Sequence, residues 1–244
     1  MILEIDAGNT ALKWRVVNVA GEIISRGRQS YSRALADISK DLCGVNIKVA
    51  RVACVAGRQT EFGIKEWLGG LGVLEVNFAR TLSMFSGLKI AYQNPARLGV
   101  DRWLAMLAAR TEQKACCVID CGSAITVDFV NTQGSHLGGY IVPGLKTMQS
   151  GLLGNTRQIK LDKLESTSAL GLGSSTSEGV NNGILRMAVS FLQSVLDDAS
   201  RKGEGFHVFM TGGDMETVRP FLSSEMPIEL VPELVLNGLR IALK

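Results

Sequence analysis

The sequence predicts a mixed α/β protein of two related lobes, and three observations predict it. The first is an internal echo. Residues 2–12 read ILEIDAGNTAL and residues 116–127 read CCVIDCGSAITV, each an apolar run, an Asp, a small residue, a Gly and a second apolar run after a short polar step. The shared core is Ile5-Asp6-x-Gly8 and Ile119-Asp120-x-Gly122. The second is element order: consecutive strands followed by alternating helix and strand, twice over. The third is the polar TEQK stretch at 111–114, which separates the copies into a first lobe, 1–113, and a second, 114–244.

In the first lobe, apolar periodicity predicts strands over 2–6, 12–19 and 23–28, a helix over 32–42, a strand over 48–55, a helix over 61–68 and a short strand over 74–78. Asn94-Pro95 reads as a helix start, with Pro at the first helical position, and Gly99 interrupts before the apolar stretch 103–109. In the second lobe, strands are expected over 117–120, 125–130 and 139–142. A long helix follows over 176–199. Ser175 and Glu178 form a capping box at its start, and Val180, Ile184, Met187, Phe191 and Val195 recur at helical spacing. A strand over 207–210 runs into Thr211-Gly212-Gly213-Asp214.

Composition narrows the function classes. A chain of 244 residues, 46% apolar and 20% charged, can bury a core without covalent staples. The net charge of +3 comes from scattered basic residues with no stripe or arm, so no nucleic-acid partner is expected. Five cysteines without a CxxC pair suit neither a disulfide framework nor a zinc site. Cys54, Cys116 and Cys117 lie in apolar runs and read as small core residues. No apolar run reaches membrane-spanning length, and the opening MILEIDAGNT has neither the basic nor the apolar region of a signal peptide. The expectation is a cytoplasmic protein without a membrane partner.

A glycine between two strands lets backbone N–H groups approach a ligand. In Asp6-Ala7-Gly8-Asn9-Thr10, Ala7 and Gly8 leave room, Asn9 and Thr10 offer polar donors, and Lys13 follows as a point charge for phosphate. Asp6, at the strand end, suits Mg²⁺ through water. An ordinary hairpin explains one such turn alone better; the second copy, Asp120-Cys121-Gly122-Ser123, reverses that and favours two turns facing each other across a cleft with nucleotide phosphates between them. Thr126 and Asp128 share one strand face there, and a solvated strand face explains Asp128 as readily as chemistry does. Gly212-Gly213 is a third glycine turn, suited to packing of an adenosine moiety or simply to a turn. Asp101-Arg102, just after Gly99, has two readings: Asp101 caps a helix, or it takes a proton while Arg102 holds an anion through its bidentate fork.

Taken together, Asp6-x-Gly8-Asn9-Thr10, Leu98-Gly99-x-Asp101-Arg102, Asp120-x-Gly122-Ser123-Ala124-x-Thr126-x-Asp128, Gly138-Gly139-x-Ile141-x-Pro143-Gly144 and Gly212-Gly213-Asp214 resemble the motifs of the type III pantothenate kinases, in order over nearly the whole chain. The resemblance implies two ribonuclease-H-like lobes with mixed sheets flanked by helices, a cleft between them, and a homodimer. It implies ATP-dependent phosphorylation of pantothenate, the first step towards coenzyme A, with Mg²⁺ and a monovalent cation, K⁺ or NH₄⁺. Asp6 to Lys13 would form the first phosphate loop and Asp101 the base. Gly99, Val100, Asp101 and Arg102 would line the pantothenate pocket together with Tyr92. Asp120 would bind the monovalent cation, Ser123 would face the phosphates, and Thr176 would contact substrate. Ser123 stands where the family usually has Thr, keeping the hydroxyl. Ser174-Ser175-Thr176 stands where it usually has Asn-Thr. Other readings on the same scaffold are a sugar kinase, a phosphohydrolase, or a regulatory protein that binds nucleotide without turnover.

Overall fold

The computed structural model describes residues 1–30, 34–110, 114–156, 158–161, 169–201, 203 and 205–243. It divides into two compact units: Met1–Glu112 with Gly134–His136 and Glu233–Lys244, and Gln113–Gln133 with Leu137–Pro232. The stretch 111–113, where the sequence division falls, lies outside the described residues. Residues 134–136 and 233–244, which that division put in the second lobe, group with the first unit.

In the first unit, β1 (Ile2–Ala7), β2 (Ala11–Val17), β3 (Ile23–Ser30), α1 (Ala34–Asp41), β4 (Val49–Cys54), α2 (Arg58–Gly70) and β5 (Glu75–Phe78) follow in order. Their sheet runs β3-β2-β1-β4-β5. Hairpins join β1 to β2 and β2 to β3 antiparallel, while β1, β4 and β5 are parallel, as crossover helices require. Leu3, Ile5, Leu12, Trp14 and Val52 pack with Ile38, Ile64 and Leu68 into one core. The predicted strand over 12–19 stops at Val17 because Asn18 closes a turn: its N–H donates to Glu22 O at 3.0 Å, and its Oδ1 accepts from Glu22 N at 3.0 Å. A small hairpin, β6 (Met84–Phe85) and β7 (Leu88–Lys89), turns on Ser86 and Gly87, both at positive φ. Asn94-Pro95 starts only a 3-10 turn, Pro95–Arg97, with Asn94 Oδ1 accepting from Ala96 N at 3.1 Å. Leu98 and Gly99 are extended (ψ 127 and 134), which breaks the spiral, and α3 (Val100–Ala109) begins afresh.

The second unit repeats the plan with β8 (Cys116–Cys121), β9 (Ala124–Val130), β10 (His136–Pro143), α4 (Leu145–Asn155), α5 (Thr176–Arg201), β11 (His207–Thr211), α6 (Met215–Val218) and β12 (Ile228–Leu230). Its sheet runs β10-β9-β8-β11-β12, the order of the first sheet element for element. Ile119, Ile125, Val127, Val208 and Met210 pack against Leu185, Leu192 and Leu196 of α5. The α5 face differs from the sequence reading. Of the predicted stripe, Val195 is buried in the core and Phe191 packs half-buried against it, while Met187 is 64% exposed. The buried face passes through Leu185, Ala188, Val189, Leu192, Leu196 and Ala199, about one residue around the helix.

The C-terminal helix α7 (Leu234–Ala242) packs in the first unit, where Gly238 lets it lie close against α3: a Cβ there would come 1.9 Å from Leu104 O. Arg15 fixes that helix. Its Nε donates to buried Glu4 at 2.6 Å, its Nη1 to Glu233 at 2.9 Å and Asn237 at 2.8 Å, and its Nη2 to Leu236 O at 2.9 Å. Arg51 Nη1 donates to the other Glu4 oxygen at 3.1 Å. A carboxylate fully out of water is held by two guanidinium groups, the condition under which a buried charge is tolerated.

Candidate active site

Asp6 sits next to last on β1, directly opposite Lys13 of β2. The carboxylate and ammonium stems therefore share one sheet face at the end of the hairpin. Asp6 and Ala7 are buried while Asn9 and Thr10 are exposed at the turn tip. A Cβ on Gly8 would stand 3.3 Å from Ala11 O, so glycine keeps this turn tight.

The same unit holds the head of α3. Gly99 is its N-cap residue and supplies no side-chain bond. Asp101, in the first turn, curls back instead: its Oδ1 accepts from Arg102 N at 2.8 Å and lies 2.5 Å from where a Gly99 Cβ would be. The bare Gly99 thus makes room for the Asp101 carboxylate, which stabilises the helix start from inside the first turn rather than as the N-cap itself. Thr81 Oγ1 donates to Leu98 O at 3.0 Å and anchors the extended residues before the helix. Arg102 is buried, 7% exposed. Its Nη1 donates to Tyr92 OH at 3.1 Å, and its guanidinium carbon lies 5.9 Å from the centre of the Tyr92 ring. Val100 is buried beside them.

In the second unit, Asp120 occupies on β8 the place Asp6 has on β1, next to last. It stands opposite Thr126 of β9 and beside Thr211 of β11. Two glycines converge on its carboxylate. A Cβ on Gly122 would come 3.3 Å from Asp120 Oδ1, and one on Gly212 (φ +97) would come 2.5 Å from it and 2.4 Å from Cys121 O. The second and third glycine turns of the sequence are therefore one feature, joined further by Asp214 N donating to Cys121 O at 2.9 Å. Burial first, then the Asp120 and Asp214 carboxylates, push the Cys121 thiol up to about 12. Gly213 is exposed beside this cradle.

Pro143-Gly144 closes the other side of the turn. Gly144 N donates to Ser123 O at 3.0 Å, Thr147 Oγ1 donates to the same oxygen at 2.5 Å, and a Gly144 Cβ would come 2.0 Å from Gly122 O. The Ser123 carbonyl is thus held from outside, with Gly139 similarly pressed on β9. Thr147 went unnoticed in the sequence, where no spacing links it to the turn. Asp128 is 1% exposed, with its Oδ1 2.8 Å from a Gly139 Cβ position, so the solvated strand face is excluded. Thr176 is the exposed first residue of α5 in the second unit, whereas Tyr92 to Arg102 belong to the first. The cap is as predicted in part: Ser175 Oγ accepts from Glu178 N at 3.1 Å, but the Glu178 carboxylate reaches back to Ser174, accepting from its N at 2.7 Å and its Oγ at 2.8 Å.

All five cysteines are free; Cys116, Cys117 and Cys121 are buried, and Cys54 is only half-buried. No helix among the described residues is long and apolar enough to cross a membrane. Among them, too, no three His, Cys, Asp or Glu side chains form a metal-binding cluster. A cation at Asp120 would be held by one carboxylate with backbone and phosphate oxygens, ligation suited to hard ions. The double-glycine cradle, which any Cβ at Gly212 would fill, is compatible with that.

Two five-stranded sheets of one strand order, each carrying an Asp-x-Gly turn, define an actin-like two-sheet fold. A protein assigned as a 2-dehydro-3-deoxygalactonokinase from Sinorhizobium meliloti shares it with a TM-score of 0.62 at 11% identity, over 99% of this chain and 95% of that one. A family model, type III pantothenate kinase, matches residues 2–198. A type III pantothenate kinase from Ectopseudomonas mendocina is 41% identical over 251 residues, covering 99% of this chain and 98% of the relative. One from Alcanivorax borkumensis is 37% identical over 252 residues, covering 98% and 97%. The chain belongs to the type III pantothenate kinase family.

Proposed function

We propose that the chain transfers the γ-phosphoryl group of ATP to the primary hydroxyl of pantothenate, giving 4′-phosphopantothenate and ADP, the first step of coenzyme A biosynthesis. The observation that carries this reading is the full-length similarity to type III pantothenate kinases, with the Asp101-Arg102 pair set at the head of α3. The pantothenate oxygen bonds to the γ-phosphorus, the bond from that phosphorus to the β–γ bridging oxygen breaks, and the hydroxyl proton passes to the Asp101 carboxylate. Such a transfer needs positioning and charge neutralisation rather than covalent help. Asp6, Ala7, Gly8, Asn9, Thr10 and Lys13 are the phosphate-binding residues of the first unit on this reading, and Gly122 and Ser123 those of the second. Gly212 and Gly213 leave backbone free for the adenosine moiety. Tyr92, Gly99, Val100 and Arg102 receive pantothenate, with Thr176 as a further contact. Mg²⁺ near Asp6 and K⁺ or NH₄⁺ at Asp120 would neutralise phosphate charge when bound. We assign this step to the cytoplasm.

The protein works as a homodimer on this reading. Support comes from β10, an edge strand of its sheet, which leaves Leu137, Tyr140 and Ile141 at least half exposed. Tyr140 meets Phe191 of α5 edge-on at 5.9 Å, and Met187 lies one helical turn before Phe191. An apolar edge of this kind is a surface proteins cover.

The test is product analysis. Purified protein with ATP, Mg²⁺ and K⁺ should convert pantothenate to a compound heavier by one phosphoryl group, with little conversion when Na⁺ replaces K⁺. Efficient phosphorylation of a hexose with pantothenate untouched would overturn the acceptor. Full turnover in Na⁺ would remove the monovalent site.

A further inference from the structure

The Tyr92–Arg102 pair is backed by a residue that belongs to none of the site motifs. His136, the first residue of β10, is 4% exposed and groups with the first unit. Its Nδ1 accepts from Ala91 N at 3.5 Å, the residue immediately before Tyr92. Its ring lies over the Tyr92 ring, with centroids 6.1 Å apart and planes 16° apart. Tyr92 in turn accepts from Arg102 Nη1 and lies under its guanidinium. Imidazole, phenol and guanidinium are thus linked in series, with the backbone of residue 91 fixing the first ring.

We propose that His136 is a positioning residue for pantothenate: it sets the plane of the Tyr92 ring, and through it the direction in which Arg102 presents its fork. The inference rests on the reading of Tyr92 and Arg102 as the pantothenate-binding pair. The physical reason is torsional. The ring torsion of a tyrosine is broad and weakly held by its own bonds, so an aromatic neighbour parallel to it selects the angle. The Ala91 N–H occupies Nδ1, which in the neutral ring leaves the proton on Nε2 and fixes the imidazole plane. His136 is not needed to dock its own segment, because Lys89 N donates to Gly134 O at 2.9 Å. Its ring can therefore be changed while the backbone stays attached.

Steady-state kinetics of the full chain, with pantothenate and ATP varied separately, test this. His136→Asn keeps an acceptor for Ala91 N and loses the ring; the KM for pantothenate should rise about tenfold, with kcat and the KM for ATP within about twofold of wild type. His136→Phe keeps an aromatic face and should stay within about threefold in the KM for pantothenate. In a Tyr92→Ala background His136→Asn should add nothing, since its effect passes through Tyr92. The proposal falls if pantothenate KM is unchanged, if ATP KM rises in parallel, if the loss is equal in both backgrounds, if Phe is as damaging as Asn, or if His136→Asn does not fold. A Tyr92→Ala chain with normal pantothenate KM sinks the reading of the binding pair as well. A raised KM there, with His136→Asn normal, sinks this inference alone.

Discussion

Asp101 has an observed structural role and a proposed chemical one. From the sequence it reads either as a helix cap or as a base. In the structure Gly99 is the N-cap residue, and Asp101 accepts an N–H of the first turn with one carboxylate oxygen. That bond to the first turn is the structural role, and it does not conflict with the proposed base. Arg102 is buried against Tyr92, so Arg102→Ala costs packing as well as charge. Glu178 gives a pH prediction at this scale. The Ser174 N–H first, then the Ser174 hydroxyl, donate to its carboxylate and hold its pKa below the ordinary value. Its folded form therefore gives up the proton more readily than the unfolded one. The stabilisation is fully present above the unfolded value of about 4.3 and is lost as pH falls through the lower folded value. The Tm gap between wild type and Glu178→Gln should be open at pH 7 and closed well below that range. A gap that persists in acid would show that the contact is packing rather than charge.

At the scale of elements, strands were the legible part. Both Asp-x-Gly hairpins were readable because β-branched and aliphatic runs flank them on each side. The face of α5 was not, because the helix carries two apolar stripes, and size favoured Met187 and Phe191 over the Ala and Leu positions that are buried. Short elements such as β12, and α4 with its internal glycines, have too little periodicity to stand out. In the candidate site, the matching places of Asp6 and Asp120 were legible because the motif repeats. The contacts of Thr147 with Ser123 and of His136 with Ala91 and Tyr92 were illegible, because no spacing in sequence links those residues. Helix α7 is the element whose attachment is most open to test. Arg15 neutralises Glu4 and Glu233 and binds two further acceptors on α7. Arg15→Ala leaves Glu4 buried with only Arg51, a change that costs about 3–5 kcal/mol. Chemical denaturation should show that loss. A cost under about 1 kcal/mol would mean that α7 is held by its apolar face alone.

At the scale of the whole molecule, the duplicated sheet gives one plan used twice, with the chain's last helix grouped with the first copy. That grouping was invisible in sequence order, since nothing in residues 233–244 names its partner. Exposed Met187 on α5 and the edge strand β10, with Leu137, Tyr140 and Ile141 exposed, belong to this scale as well. Sedimentation equilibrium should give a dimer mass, and Tyr140→Lys with Ile141→Lys should give a folded monomer. A wild-type monomer at micromolar concentration would remove the dimer from the account.

The central claim is that this family member phosphorylates pantothenate with Asp101 as the base. The most direct measurement is kcat of Asp101→Asn at saturating ATP and pantothenate, paired with ATP binding by calorimetry. The amide keeps the size of the side chain and an oxygen for Arg102 N, so fold and ATP affinity should be retained. Only basicity and charge are lost, and kcat should fall by about a hundredfold or more. A variant that turns over at the wild-type rate while folding and binding ATP normally would contradict the claim and leave Asp101 as a helix-start residue.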